Sequence, residues 1–475
     1  MDVKFADGST GKYEDAPLAA GTEGAIHLSR DGKSVVKLYF ADPQKETGRI
    51  QRIDMLIHEL NPTSGNRDWA EYFTWPEKRV VAPDVGYRMR YASGLKTLEH
   101  FILGKAFHRL KPDERGWFIG RMGVAIKLAT AANRLASMGL CYPDFSGKNI
   151  LVDAFRARMA LIDCDSLTVP DKLPPTVEGT SDSRAPEIVM RTVTTPSVTS
   201  DRHTLAVIFY RWLLWWHPLN GDKNFDPDPV QDDLLRYGQK ALYIEHPSDD
   251  SNKAQGQVLK AHILGPELEG LFRQVFVNGL HHPEQRPQPY QWQRAFYRTY
   301  DHLIPCSSPY CDWRFFIVSH TPQAWGSRPL SLVCPRCAVT VAEPKTLPFL
   351  YLLPHKGTNN PDDYANMTAP DLHYVVGWPQ RTLHLWHVKP SATRVYTDVG
   401  YVPDANPLAS FSSDANEDQW YLHNLQLPQL QFLDTGGTWQ PCSLKHAVPL
   451  LPETIIQFGP APECFRARIF LERVI

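Results

Sequence analysis

The sequence predicts an α+β chain in three parts, and three observations carry that reading. Residues 1 to about 300 open with short β-like runs, Ala25 to Leu28, Ser34 to Phe40 and Val80 to Tyr91, and then turn helical. Two close cysteine pairs, Cys306/Cys311 and Cys334/Cys337, fall between residues 301 and 345. From Pro348 onward helical periodicity ends. Short alternating runs separated by Gly, Pro, Asn and Asp take over, the pattern of a β-sandwich.

The helical signal rests on two stretches. Trp117 to Met138 carries apolar residues at helical spacing, and Leu205 to Trp216 is apolar all round, as a buried helix is. The sandwich signal rests on Thr382 to Val388, Gln419 to Leu422 and Thr454 to Phe458. A chain of 475 residues exceeds one ordinary core, so two to three domains are expected. The 43% hydrophobic and 21% charged fractions are those of a soluble globular protein. Fifty basic against 52 acidic residues give a net charge of −2, which points to neither nucleic acid nor a membrane surface as partner. The 40 prolines lie mostly in short connections such as Pro460 to Pro462, which fits many elements joined by rigid turns. No apolar run reaches membrane-span length. Met1 to Tyr13 is polar and acidic, unlike a signal peptide, and the cysteine spacing points to metal in a reducing compartment. A cytoplasmic location is expected.

Chemistry enters through six signals in one order. Gly21-Thr22-Glu23-Gly24 lies between β-like runs, where glycines let backbone amides approach phosphate oxygens. Lys37 follows on the next strand and offers an ammonium to phosphates. Asp144 and Asn149 sit five residues apart in Tyr142-Pro143-Asp144-Phe145-Ser146-Gly147-Lys148-Asn149, directly after a long helix. That spacing places a carboxylate for a substrate hydroxyl and an amide for a metal ion. Asp163, in Leu161-Ile162-Asp163-Cys164-Asp165, ends the returning strand and can chelate magnesium between phosphates. Gly179-Thr180 through Ala185-Pro186-Glu187 comes fifth. Asp201, opening the apolar helix, is the sixth, with Arg286-Pro287 and Trp292 much later.

Together these residues resemble the protein-kinase signature set over roughly residues 15 to 300. The resemblance implies a bilobal protein-kinase-like fold, with an N-lobe of about 1–91 and a C-lobe of about 92–300. It also implies ATP and magnesium as cofactors and a Ser/Thr protein kinase activity toward a protein substrate. Lys37 would bind the α/β-phosphates, Asp144 would orient or deprotonate the acceptor hydroxyl, and Asn149 and Asp163 would hold magnesium. Thr180 would steady the catalytic loop, Glu187 and Arg286 would form a buried ion pair, and Asp201 would anchor the catalytic-loop backbone. Gly21, Thr22, Glu23, Gly24, Met89 and Tyr91 join Lys37 as cofactor-binding candidates. Glu46, on a short helix Glu46 to Met55, is the first choice as partner of Lys37, and Glu59 the second.

The chain departs from the pattern at several positions. Tyr142-Pro143 replaces the usual His-Arg, so no arginine waits beside Asp144 for an activation-loop phosphate. Cys164 and Asp165 replace Phe-Gly. Ser146 stands where the family carries a lysine, and Lys148 is the candidate substitute. The first loop glycine is Ala19. A pseudokinase scaffold is the competing reading. A small-molecule phosphotransferase of the aminoglycoside-kinase type is opposed by Gly179-Thr180 with Ala185-Pro186-Glu187, a peptide-docking segment.

In the cysteine module, 22 residues between the pairs suffice for a β-hairpin that joins both knuckles. Cys306, Cys311, Cys334 and Cys337 then close a tetrahedral zinc site with no place for water, so the zinc would be structural and residues 301–345 a ribbon connecting two domains. In residues 346–475, Trp420 to Asn424, Gly436-Gly437-Thr438-Trp439 and Ile455 to Gly459 resemble the second half of a forkhead-associated domain. That family's phosphothreonine-binding elements are not visible, so a docking sandwich is expected and phosphopeptide readout is not carried over from the resemblance. The combination of Lys-Leu-Tyr on the lysine strand, Asp163 to Ser166 and an appended ribbon resembles the bacterial kinase of the tellurite-resistance-associated TerY phosphorylation triad. That resemblance implies two partners, a von Willebrand factor A-type protein and a metal-dependent Ser/Thr phosphatase.

Overall fold

The computed structural model describes residues 1–65, 67–102, 104–111, 114–169, 172–175, 181–320, 330–341, 344–354, 373–392, 406–414 and 418–474. Gly179 and Thr180 lie outside the described residues. The chain is a mixed α+β protein with several sheets.

Strands β1 (Asp2–Phe5), β2 (Thr10–Lys12), β3 (Ala19–Ala20), β4 (Gly24–Leu28) and β5 (Ser34–Tyr39) come first. They are followed by helix α1 (Glu46–His58) and strands β6 (Lys78–Ala82) and β7 (Gly86–Arg90). The strands form one antiparallel sheet in the order β2-β1-β6-β7-β5-β4-β3. The run Val80 to Tyr91 is thus a hairpin rather than one strand, because Pro83 and Asp84 interrupt it with a turn. Every residue of β5 is buried, since both faces of the sheet are covered. Val36 and Leu38 face Val3, Phe5 and Val80, whereas Val35 and Tyr39 pack with Ile53 of α1, Tyr87 and Met89. Alternation therefore puts Lys37 on the α1 side. Gly86 lets β7 approach this strand, because a Cβ there would lie 2.0 Å from the Lys37 carbonyl oxygen.

The helical body follows. It contains α2 (Lys105–Arg109), α3 (Phe118–Ser137), α4 (Pro186–Val189), α5 (Val198–Leu214), α6 (Pro229–Leu234), α7 (Pro266–Arg273) and α8 (Pro289–Asp301). Helix α3 is buried along most of its length because α5, α8 and a small sheet of β8 (Lys96–Thr97), β9 (Ile150–Asp153) and β10 (Arg158–Leu161) all cover it. Helix α5 starts where Ser197 and Ser200 form a reciprocal cap and stops at Trp215, whose φ is 57°. Among the described residues, no helix is long and apolar enough to cross a membrane.

The apolar core does not stop at residue 300. Strands β11 (Leu303–Pro305) and β12 (Phe315–Ile317) form a hairpin whose turn holds the first cysteine pair. Trp313 in that turn stacks on Phe118 of α3 with ring centroids 4.2 Å apart, and the Phe118 amide donates to the Trp313 carbonyl at 2.8 Å. A hairpin thus surrounds the first pair; of the stretch between the pairs, residues 321–329 lie outside the described residues. The second pair sits in its own turn, closed by a bridge between Val333 and Thr340. The expected connector is fused to the helical body, since four large side chains, Trp313, Phe315, Phe316 and Val318, belong to its core.

The C-terminal part is an antiparallel β-sandwich. One sheet has the order β14-β13-β22-β21-β18-β19, with β13 (Thr346–Leu353), β14 (His373–Val376), β18 (Gln431–Leu433), β19 (Trp439–Pro441), β21 (Ile455–Gln457) and β22 (Arg466–Arg473). The other, β15-β16-β17-β20, comprises β15 (Thr382–Leu383), β16 (Ala409–Asp414), β17 (Gln419–Asn424) and β20 (Ala447–Leu450). Leu350, Phe411, Trp420, Leu422, Val448 and Ile469 fill the space between them. The opposite face of β13, with Leu347, Phe349 and Tyr351, packs on the helical core. Thr382 to Val388 is not one strand: after β15 the chain turns into α9 (Leu385–Val388), capped by the His384 amide donating to His387 Nδ1. That turn delivers His387 to the buried Asp301 carboxylate, which also takes Arg381 and His373.

Candidate active site

Lys37 of the first sheet meets the segment after β10 on the α1 side of that sheet. Lys37 reaches Asp163 Oδ1 at 2.5 Å and both oxygens of Asp165, at 2.8 and 3.0 Å. Asp163 follows β10 with φ 57°, a left-handed turn that carries the next residues back under the sheet. Two tyrosine hydroxyls also donate to Asp165, Tyr39 at 2.5 Å and Tyr87 at 2.6 Å. Tyr39 lies two residues beyond Lys37 on the same face, and Tyr87 is directly opposite Lys37 in the ladder. The three donors thus converge from one face on one buried carboxylate.

Burial would lift the Asp165 carboxyl, but Lys37 and the two hydroxyls outweigh it and hold the group well below the usual carboxylate range. Asp163 goes the other way, raised by burial and by the negative charge of Asp165, with Lys37 opposing. Asp165 is therefore the fixed anion of the pair, and Asp163 the one whose charge a metal ion would stabilise.

Helix α1 brings an arginine to this site rather than a glutamate. Arg52, buried, donates to the carbonyl oxygens of Leu167 at 2.6 Å, of Asp165 at 3.4 Å and of Pro174. Glu46 stands exposed in the first turn of α1, and Glu59 is exposed at its end. The expected pairing of Lys37 with Glu46 or Glu59 is therefore corrected: Asp163 and Asp165 take that place. Helix α1 is fastened to the segment after Asp163 through backbone carbonyls.

The second cluster lies beside the first. Asn149 Nδ2 donates to Asp144 Oδ2 at 2.8 Å and to the Asp144 carbonyl at 3.1 Å. The Ile162 amide donates to the Asn149 carbonyl at 3.0 Å, which joins the Asp144 turn to the Asp163 strand. Asp201, at the start of α5, accepts from the Tyr142 amide at 2.7 Å and from Cys141 Sγ at 3.0 Å. Burial raises the Asp201 carboxyl to about 6, with those two donors opposing. Lys148 is exposed, and Ser146 is buried in its place in the turn. Gly21, Thr22, Glu23 and Gly24 form the turn between β3 and β4, closed by Gly21 N to Gly24 O at 3.0 Å. Met89 lies in the apolar layer with Val35, Tyr39 and Tyr87, and Tyr91 follows β7.

Arg286 and Glu187 form a fork, with two bonds of 2.7 Å, and the arginine side chain is 0% exposed. Arg286 also donates to the carbonyls of Gly279, Leu280 and Thr199. Replacing Arg286 by alanine leaves a carboxylate and three carbonyls without their donor. Stability should fall by about 3–5 kcal/mol, read as a lower denaturant midpoint at unchanged slope.

The four ribbon cysteines come together as a group. Their sulphurs all lie within 4.8 Å of one another, with Cys306–Cys337 at 3.6 Å and Cys311–Cys334 at 3.8 Å. A tetrahedron with metal–sulphur bonds of about 2.3 Å has edges of about 3.8 Å, so the cluster has the size that a metal ion such as zinc requires. All four are free thiols rather than disulfides.

No protein-family model matches the chain, and no curated protein matches it. What the site does must therefore be argued from its own residues. Asp165, Tyr39, Tyr87 and Arg52 were not singled out as a group in the sequence. The signals were present: a tyrosine two places after the strand lysine, and an arginine beside Ile53 on the apolar stripe of α1.

Proposed function

We propose that residues 1 to about 300 form a bilobal protein-kinase-like unit that transfers the γ-phosphate of ATP to a serine or threonine hydroxyl of a partner protein. The observation that carries this reading is the convergence of Lys37 on Asp163 and Asp165, next to the Asn149–Asp144 pair. An ammonium held by a carboxylate whose pKa is depressed is a preorganised contact for phosphate oxygens. Asp163 and Asn149 supply hard oxygen ligands of the kind magnesium takes, and the ion when bound neutralises phosphate charge. Asp144, held by the Asn149 amide, is oriented to accept the proton of an incoming hydroxyl. The turn Gly21 to Gly24 would cover the phosphates with backbone amides, and Met89 and Tyr91 would contact the base end of the nucleotide.

On the same reading the ribbon holds one structural zinc at Cys306, Cys311, Cys334 and Cys337. The sandwich, forkhead-associated-like in its sequence runs, docks partner proteins. Those partners would be a von Willebrand factor A-type protein and a metal-dependent phosphatase, as in the tellurite-associated triad, in a cytoplasmic setting that keeps the thiols reduced. Titrating an ATP analogue with and without magnesium tests the nucleotide site. Magnesium-dependent binding that Lys37→Met weakens at least about tenfold is expected. Tight binding with no phosphoryl transfer to any hydroxyl would favour a scaffold that recruits partners without catalysis.

A further inference from the structure

A cavity of about 200 Å³ opens where β7, the segment leading from it to β8, α3 and β10 meet. Three cationic side chains line it, each from a different element: Arg90 of β7, Lys127 of α3 and Arg158 of β10. Glu71 is the one carboxylate among the lining residues, and Tyr72 and Met159 add less polar surface. Side chains alternate along β7, so Tyr87 and Met89 face the Lys37 layer and Arg90 faces away from it. The cavity is thus separate from the candidate active site.

The three cations differ in burial: Lys127 is buried, Arg90 half-buried, and the Arg158 side chain 43% exposed. Lys127 is 7% exposed, and a charge at such a position sits in a medium where attraction to an anion is strong. Arg90 is held by its Nε and Nη2 donating to the carbonyls of Ala70 and Glu71, at 3.0 and 3.1 Å. Arg158 is steered by Asp153, at 2.9 Å from its Nη2, while its buried Nε has no hydrogen-bond partner. Burial pushes the Arg90 guanidinium below its ordinary value and the nearby charge of Arg158 pushes the same way, with Glu71 and Glu77 opposing. Guanidinium groups from two elements facing one cavity, with the Arg158 Nε donor unused among the described residues, suit an anion with several acceptor oxygens.

We propose that this cavity binds a compact oxyanion, inorganic phosphate or a small phosphate ester, between Arg90, Lys127 and Arg158. The volume admits a phosphate with a short organic portion. Because Ala92, Ser93 and Leu95 also line it, the occupant touches the connection between the first sheet and the helical body, and sets how firmly the two are joined.

The test titrates inorganic phosphate, and in parallel glycerol 3-phosphate, into the full chain by calorimetry. Hydrogen exchange is followed over residues 89–96. Submillimolar binding is expected, with slowed exchange at 92–95, a loss of at least about tenfold in affinity for Arg158→Ala, and no change for the exposed Glu46→Gln. The tighter of the two ligands assigns the source, free ion or ester. Binding that persists unchanged in folded Arg158→Ala and Lys127→Gln variants would overturn the proposal. Should the variants not fold, the unsubstituted protein decides alone: phosphate that leaves exchange at 92–95 unaltered rules the site out.

Discussion

Asp165→Ala is expected to destabilise the first sheet and to weaken nucleotide binding together. The substitution removes the acceptor that Lys37, Tyr39 and Tyr87 share, and leaves three donors in a buried layer. The two tyrosine hydroxyls left unmatched, at about 1–3 kcal/mol each, give a loss of about 2–6 kcal/mol. Lys37 retains Asp163, but that carboxylate must then serve both the ammonium and a metal. Glu46→Gln is the control, since Glu46 is exposed and makes no part of the Lys37 cluster; its binding and stability should match the parent. The same carboxylate sets a pH dependence. Its folded pKa is depressed, so its contribution is present above the unfolded value of about 4 and disappears as the pH falls below it. The Asp165→Ala variant should therefore lose less stability on acidification than the parent. A melting temperature and an affinity both unchanged in Asp165→Ala would remove Asp165 from the account.

Cys334→Ser is expected to have the second large effect, and to reach beyond the ribbon. One zinc per chain should be lost, because three thiolates leave the tetrahedron incomplete. A ribbon that merely connects two domains would leave the helical body untouched by this change. The structure argues otherwise, since Trp313 is stacked on Phe118 and Phe315 and Phe316 complete the same core. Arg336, from the second knuckle, lies 4.8 Å over the Trp215 ring and is paired with Asp312. Loosening these contacts should cost about 3–5 kcal/mol, as large core truncations do, and lower the melting temperature of the helical body by about 10 °C. Elemental analysis and a melting curve check both halves. A variant that loses its metal yet melts with the parent would return the ribbon to the part of a mere connector.

The local order of the site was legible because each signal occupies one short piece of chain. Asp144 and Asn149 share a turn, and Asp163 ends a strand, so spacing alone implies proximity. Helix Phe118–Ser137 was legible from the apolar spacing of Trp117 to Met138, the second half of Val198–Leu214 from the apolar run Leu205 to Trp216, and the four cysteines from their pairing. What joins separate pieces was not. The charge partner of Lys37 depends on which face of α1 meets the sheet, and the helix turns Arg52, Ile53 and Leu56 inward while Glu46 stays out. The role of Asp165 depends on a cross-strand register that sets Tyr87 opposite Lys37. The fusion of ribbon and helical body rests on contacts between distant residues, such as Trp313 stacked on Phe118 nearly two hundred positions away.

The proposed phosphoryl transfer at the Lys37–Asp163 site is tested by a labelling assay. The full chain is incubated with γ-labelled ATP and magnesium, alone and with candidate partner proteins, beside an Asp163→Ala variant shown by its melting curve to be folded. Label should pass to serine or threonine in the presence of magnesium, and Asp163→Ala should lower the rate by about a thousandfold or more, since the metal loses its carboxylate ligand. Transfer by folded Asp163→Ala at the parent rate would contradict the account.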